Sequence, residues 1–234
     1  MLTDIISKIF YSNGYIEIPI DNIPQEYRLT LFHPCDQSHR QEYYAVLEHL
    51  AETESFLDDV LERLADDFFD LIAATRNINE YFEKNSTLII CQKSGSANSH
   101  TVLKLKEDAY NFKKNVITYT AKEFASLHDK LLEIPSLQKD FFNSLINAKN
   151  GEIFRDYKKK SGNTDDYYSL LLKISSKLPF LTYAPPKHEL ENLDTEINSK
   201  LDDYEKRLYD AISNYRRSNT SANIENLIDE LSKL

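Results

Sequence analysis

Four side chains able to ligate a transition metal fall within one seven-residue stretch, His33-Pro34-Cys35-Asp36 followed by His39. Imidazole, thiolate and carboxylate groups are the usual ligands of a zinc centre. Such a centre generally gathers its ligands from at least two segments, and no second cluster exists elsewhere in the chain. The expectation is therefore a polar loop, with Cys35 packed as a small hydrophobe and no metal bound.

A second chemistry to test is that of metal-dependent nucleases of the restriction type, in which an acidic residue precedes a strand carrying Glu-x-Lys. The segment TLIICQKS supplies Cys91-Gln92-Lys93, so an uncharged side chain stands where the metal-binding carboxylate is needed. Glu107-Asp108 and Lys113-Lys114 have the right residue types at the wrong spacing and read as a solvated turn. Nucleophilic catalysis needs a nucleophile within reach of an oriented base. Gly-x-Ser-x-Gly is absent, and His49, His100, His128 and His188 are scattered with no local partner.

Glycine usage excludes two large enzyme classes. The four glycines, Gly14, Gly95, Gly151 and Gly162, lie far apart, so neither a Gly-x-Gly-x-x-Gly turn nor a Walker A loop can form. The basic run Arg155–Lys160, with Lys113-Lys114, could touch phosphate. Against that stands a net charge of −10 over 234 residues, which opposes nucleic-acid binding by the chain alone. The run reads as an exposed loop. No catalytic residue, metal or cofactor is expected.

The elements follow from hydrophobic period. Leu2, Ile5, Ile6, Ile9 and Phe10 have helical spacing, with Thr3 or Asp4 as the cap. After Ser12-Asn13-Gly14 the period becomes two, and 15–20 and 27–33 read as a β-hairpin closed by a longer loop. Residues 43–50 suit a third strand or a helix of the same length. From Thr53 a long helix carries Phe56, Leu57, Val60, Leu61, Leu64, Phe68, Leu71 and Ile72 and extends toward Ile78, Tyr81 and Phe82. Residues 87–92 form a β-branched run typical of a buried strand. Residues 102–105 and 116–119 read as further strands. Thr120 with Glu123 has the form of a capping box opening a helix to about residue 133.

After Pro135 the pattern is helical throughout, with Phe141, Phe142, Leu145 and Ile146 on one face and a further apolar stretch over 167–178. Near the C-terminus Leu190, Leu193, Ile197, Leu201, Tyr204, Leu208, Ala211 and Tyr215 recur at steps of 3-4-4-3-4-3-4. That spacing is close to heptad and predicts a long amphipathic helix whose apolar seam needs a partner. The fold class is α+β: an α/β part over 1–134 with a hairpin and small mixed sheet, then a helical part over 135–234.

The chain is 41% hydrophobic, enough for a real core, yet has no run of about 18 apolar residues that could span a membrane. The first residues carry Asp4 and lack an Ala-x-Ala-like cleavage site, so a cytoplasmic protein is expected. Aromatics make up 12% of the chain and occur in pairs: Tyr43-Tyr44, Phe68-Phe69, Phe141-Phe142 and Tyr167-Tyr168. Helical neighbours point about 100° apart, so such a pair needs burial on two sides or a ring turned to a partner. With the tail, these pairs point to a protein that binds protein.

Taken in order, the hairpin IEIPIDNIPQEYRLTLF, a helix ending near INEYFEKN, the strand STLIICQK and the segment KEDAYNFKKNVITYT before a capped helix make a recognisable series. Over about residues 14–185 it resembles the middle component of bacterial ABC-three component defence systems, the group that includes Lamassu-type antiphage systems. The resemblance implies a small non-enzymatic subunit that bridges an SMC-like ABC ATPase and an effector, often a nuclease, and restrains the effector until foreign DNA is sensed. DNA would be met only through the complex. The residues expected at partner contacts are Leu190, Leu193, Ile197, Leu201, Tyr204, Leu208 and Tyr215. Two other classes fit the same sequence: a divergent metal-dependent nuclease or hydrolase with a site assembled in space, and an antitoxin-like inhibitor of one toxic enzyme.

Overall fold

The computed structural model describes residues 1–36, 40–51, 53, 55–76, 78–93, 98–132, 134–160, 166–183 and 199–218. It comprises two compact units, Met1–Pro185 and Pro186–Leu234. In the first, helix α1 (Leu2–Ser12) leads into β1 (Tyr15–Ile18), β2 (Tyr27–Pro34) and β3 (Tyr43–His49). The turn between α1 and β1 falls on Gly14, whose φ of +80° is a left-handed conformation that costs glycine little. The three strands form an antiparallel meander, so the expected hairpin is present. Strands β4 (Ser86–Lys93) and β5 (Lys113–Tyr119) then add in parallel, giving the order β1-β2-β3-β4-β5.

Residues 43–50, which suit either a strand or a helix by sequence, are settled by position. β3 is the central strand, and Tyr43 to Glu48 are all buried. Tyr43, Ala45 and Leu47 face one layer of helices, while Tyr44 and Val46 face the other. A strand covered on both faces reads as an unbroken apolar run.

The helix expected from Thr53 runs from Phe56 to Ala73 as α2 (Phe56–Asp59), a π-helical turn (Val60–Leu64) and α3 (Ala65–Ala73). Its buried positions Phe56, Val60, Leu64, Phe68 and Ile72 recur every fourth residue. On a 3.6-residue helix that spacing drifts about 40° per repeat, and the wider π turn takes up the drift. This helix and α4 (Ser99–Glu107) pack on one face of the sheet with Leu29, Leu31, Leu88, Ile90 and Val116. On the other face α1, α5 (Ala121–Leu131), α6 (Lys139–Ile146) and α8 (Tyr167–Ser175) pack against Phe32, Tyr44, Ile89 and Ile117. The unit is thus a mixed α+β fold with helices on both faces of one sheet.

Thr120 caps α5 as expected, its hydroxyl accepting the Glu123 N–H at 3.1 Å while the Glu123 carboxylate accepts the Thr120 N–H at 2.9 Å. The buried Glu123 also binds the Lys173 ammonium at 2.7 Å, tying α5 to α8. At α1 the expected Asp4 takes part in the cap, its carboxylate accepting from the Met1 ammonium at 2.9 Å. A second acceptor comes from far along the chain: the carboxylate of Glu48, on β3, accepts the Leu2 and Thr3 N–H groups at 3.4 and 2.9 Å.

Two further expectations are corrected. Residues 102–105 lie in α4, not in a strand: Asn98 caps the helix by accepting the His100 N–H, and Thr101 and Leu105 share its buried side at i, i+4. Four apolar-rich residues were too few to separate the two periods. The basic stretch from Arg155 begins as helix α7 (Glu152–Lys159), not a loop. Lysine and arginine are good helix formers, and Ile153 and Tyr157, four apart, pack on the core.

The second unit is described over residues 199–218. Asp202 opens helix α9 (Asp203–Ser218) by accepting the Tyr204 and Glu205 N–H groups at 2.9 and 2.8 Å, and Glu205 accepts the Asp202 N–H at 2.9 Å. This capping box places Leu201 before the helix. The continuous helix expected through residue 201 is therefore interrupted there, because the Asp202 carboxylate offers the backbone a helix start at that point.

Candidate interaction surfaces and the cavity at the sheet edge

The carboxyl ends of parallel β3, β4 and β5 are where an open α/β sheet commonly binds a ligand. Here they bring together Glu48, His49, Gln92, Lys93 and Tyr119 around a cavity of about 300 Å³, with Met1 and Phe124 at its walls. Glu48 is 4% exposed and fully engaged. Beyond the two α1 N–H groups, its carboxylate accepts the Thr3 hydroxyl and the Tyr119 hydroxyl, the latter at 2.5 Å. A negative charge at a helix N-terminus is favourable, and four donors meet the cost of burying it. Glu48 is thus built as a long-range helix cap, with its oxygens turned to α1 and Tyr119.

Cys91 lies beside this carboxylate with its thiol pushed well above the ordinary range, first by burial and then by the charge of Glu48. A thiol so placed stays protonated at neutral pH and is a poor nucleophile. Cys35 is exposed. A thiol-specific reagent at pH 8 is expected to modify Cys35 within minutes and Cys91 only when the protein is unfolded. Mass spectrometry of the native protein showing both thiols modified together would contradict this placement.

The described residues among those considered for a metal do not converge. His33 is half-buried on β2, its ring 6.1 Å from that of Tyr43, and burial lowers its pKa. Cys35 and Asp36 are exposed, and His39 lies outside the described residues. Among the described residues no group of three His, Cys, Asp or Glu side chains could hold a metal. Glu107 is the last residue of α4, and Asp108 opens the turn after it, which is built on an ion pair to a buried lysine. The Lys114 ammonium, in a side chain 1% exposed, meets Asp108 Oδ2 at 2.8 Å and donates to the Tyr110 carbonyl at 2.6 Å. Burial works against ionisation of Asp108, yet the hydrogen bonds from Lys114 and the Tyr110 N–H, with the Lys114 charge, hold its carboxyl below the usual value.

The paired aromatics belong to the core and not to a partner surface. Tyr43 and Tyr44 are both buried because strand neighbours face opposite helical layers. Phe68, Phe142 and Tyr168 are buried, and Phe69, Phe141 and Tyr167 pack on the same clusters. In each helical pair one ring is buried and its neighbour packs, partly exposed, on the same cluster.

Of the seven residues expected at partner contacts, Leu190, Leu193 and Ile197 lie outside the described residues, as does the side chain of Tyr215 on α9. Leu201 and Leu208 are half-buried, and Tyr204 is 52% exposed, as is Ile212 at 42%. Two apolar surfaces were not legible in the sequence. A groove of about 440 Å³ lies among Ile146, Phe154, Leu172, Leu178, Leu181 and Tyr183, contributed by several helices and the segment after α8. The other is Tyr110, the most exposed large apolar side chain among the described residues at 69%.

No described helix is long and apolar enough to cross a membrane. No curated protein and no solved structure matches the chain. A family model does: residues 42–145, from the start of β3 into α6, match the ABC-three component (ABC-3C) system Middle Component 1. Over that span the chain is similar to the middle components of ABC-three component systems, the family its sequence resembles.

Proposed function

We propose that this chain is a non-catalytic accessory subunit of a cytoplasmic antiphage complex of the Lamassu type, bridging an SMC-like ABC ATPase and an effector nuclease and regulating the latter. The observation that carries the reading is the middle-component match over residues 42–145, which hold β3, β4, β5 and the helices between them. The chemistry at the sheet edge is in keeping with it: Glu48 serves as a helix cap and Cys91 is a buried thiol. Regulation would act through interfaces that differ in strength between two states of the ATPase. The seam over Leu190, Leu193, Ile197, Leu201, Tyr204, Leu208 and Tyr215 is the proposed contact with a partner helix. DNA is engaged through the ATPase and not by this acidic chain.

Reconstitution of the chain with the other two components of its system tests this. A single species containing all three in fixed ratio is expected. Elution of the folded chain alone would overturn the bridging role.

A further inference from the structure

The turn between α4 and β5 is held with more structure than a solvent-facing connection needs. Asn111 takes a left-handed φ of +59°, and its amide donates to Asp66 Oδ1 at 2.7 Å. The Tyr110 N–H donates to Asp108 Oδ1 at 2.9 Å, Lys114 ties Asp108 to the Tyr110 carbonyl, and Phe112 is fully buried beneath. A buried lysine is costly unless paired, and here it fixes the backbone on either side of one residue. That residue, Tyr110, points outward and is 69% exposed. A rigidly held exposed tyrosine is the form binding hot spots take.

The turn carries exposed lysines as well as the exposed Glu107, with Asp66 bound to Asn111, on a chain of net charge −10. Lys106 lies in the last turn of α4, Lys113 opens β5 and Lys177 follows α8, and the three are near enough that Lys106 and Lys113 act on the charge of Lys177. Lys106 and Lys113 are exposed. β5 is an edge strand seven residues long, and among the described residues it pairs only with β4. An edge of this kind accepts an added strand from another chain, and lysines at it reject a second copy bearing the same charges.

The geometry points to the α4–β5 corner as a docking surface for an extended acidic segment of a partner protein, laid along β5 with Tyr110 as its apolar anchor. This rests on the bridging reading above and names the chemistry of one contact. A polypeptide fits better than nucleic acid. The edge of β5 offers backbone N–H and C=O groups that an extended polypeptide can pair with, and one tyrosine is not a stacking platform for successive bases. The ion pair of the buried Lys114 with Asp108 holds the corner in place whether or not a partner is bound.

The test uses the full-length chain and the other two purified components of its system, with a 30-base-pair duplex as a separate probe. Tyr110→Ala is expected to weaken binding of one component by about 10- to 30-fold, and Lys106→Glu with Lys113→Glu to weaken the same component and flatten its salt dependence. Circular dichroism and melting temperature of both variants should match the wild type, since the substituted side chains are exposed. Wild-type affinity for both components in the two variants would overturn the proposal while leaving the bridging role intact. Loss of duplex binding with component binding unchanged would overturn it in favour of nucleic acid. Failure of the wild-type chain to bind either component would remove both readings together.

Discussion

Glu48→Ala is expected to lower the unfolding free energy by about 3–5 kcal/mol, the range for removing one member of a buried charged network. The substitution leaves the Tyr119 and Thr3 hydroxyls and the first N–H groups of α1, all buried, without their acceptor. It also removes the charge that complements the start of α1, and α1 supplies Leu2, Ile6, Ile9 and Phe10 to the core. Glu48→Gln keeps the size and part of the bonding, and should cost about 1–3 kcal/mol. Tyr119→Phe removes one donor, and combined with Glu48→Ala it should add much less than its own cost, because both break the same bond. Urea unfolding of the four variants and the wild type measures this. A Glu48→Ala protein within 1 kcal/mol of wild type would show that the carboxylate does not hold α1.

The largest effect on assembly is expected from Leu201→Asp combined with Leu208→Asp. Neither residue belongs to the core clusters of the first unit, so the folded sheet and its helices should survive both changes. Burying two carboxylates in an apolar seam costs far more than most interfaces can offset. Complex formation should therefore be lost while the far-UV spectrum changes little. Gel filtration showing an unchanged complex would move the contact away from this seam and toward the groove beneath α8 or the corner at Tyr110.

How far the sequence spoke depended on how local each signal was. β4 was legible because STLIICQK is a β-branched run long enough to have one meaning, and α5 because Thr120 and Glu123 state their cap within four residues. α4 was misread because its few apolar residues fit both periods, and α7 because its charges hid Ile153 and Tyr157. Of the cap of α1 only the local part, Asp4, could be read: the acceptor of the Thr3 N–H stands 45 residues away, on a strand brought there only by the meander. The paired aromatics misled for a related reason. A pair signals two covered sides, and the sequence does not say that both covers come from the chain itself. The absence of a Gly-rich phosphate loop and of a Glu-x-Lys strand was legible outright, since both motifs are local. The Tyr110 corner was visible as composition but not as geometry, because its rigidity comes from a buried lysine reaching back four residues.

The central claim is that this chain joins two other components, and omission tests it most directly. The ATPase and effector of the same system are mixed with and without the chain, and the masses are measured by light scattering after gel filtration. The account predicts one three-component species when the chain is present and two separate proteins when it is left out. Co-elution of ATPase and effector without it, or the chain eluting alone beside them, would contradict the account.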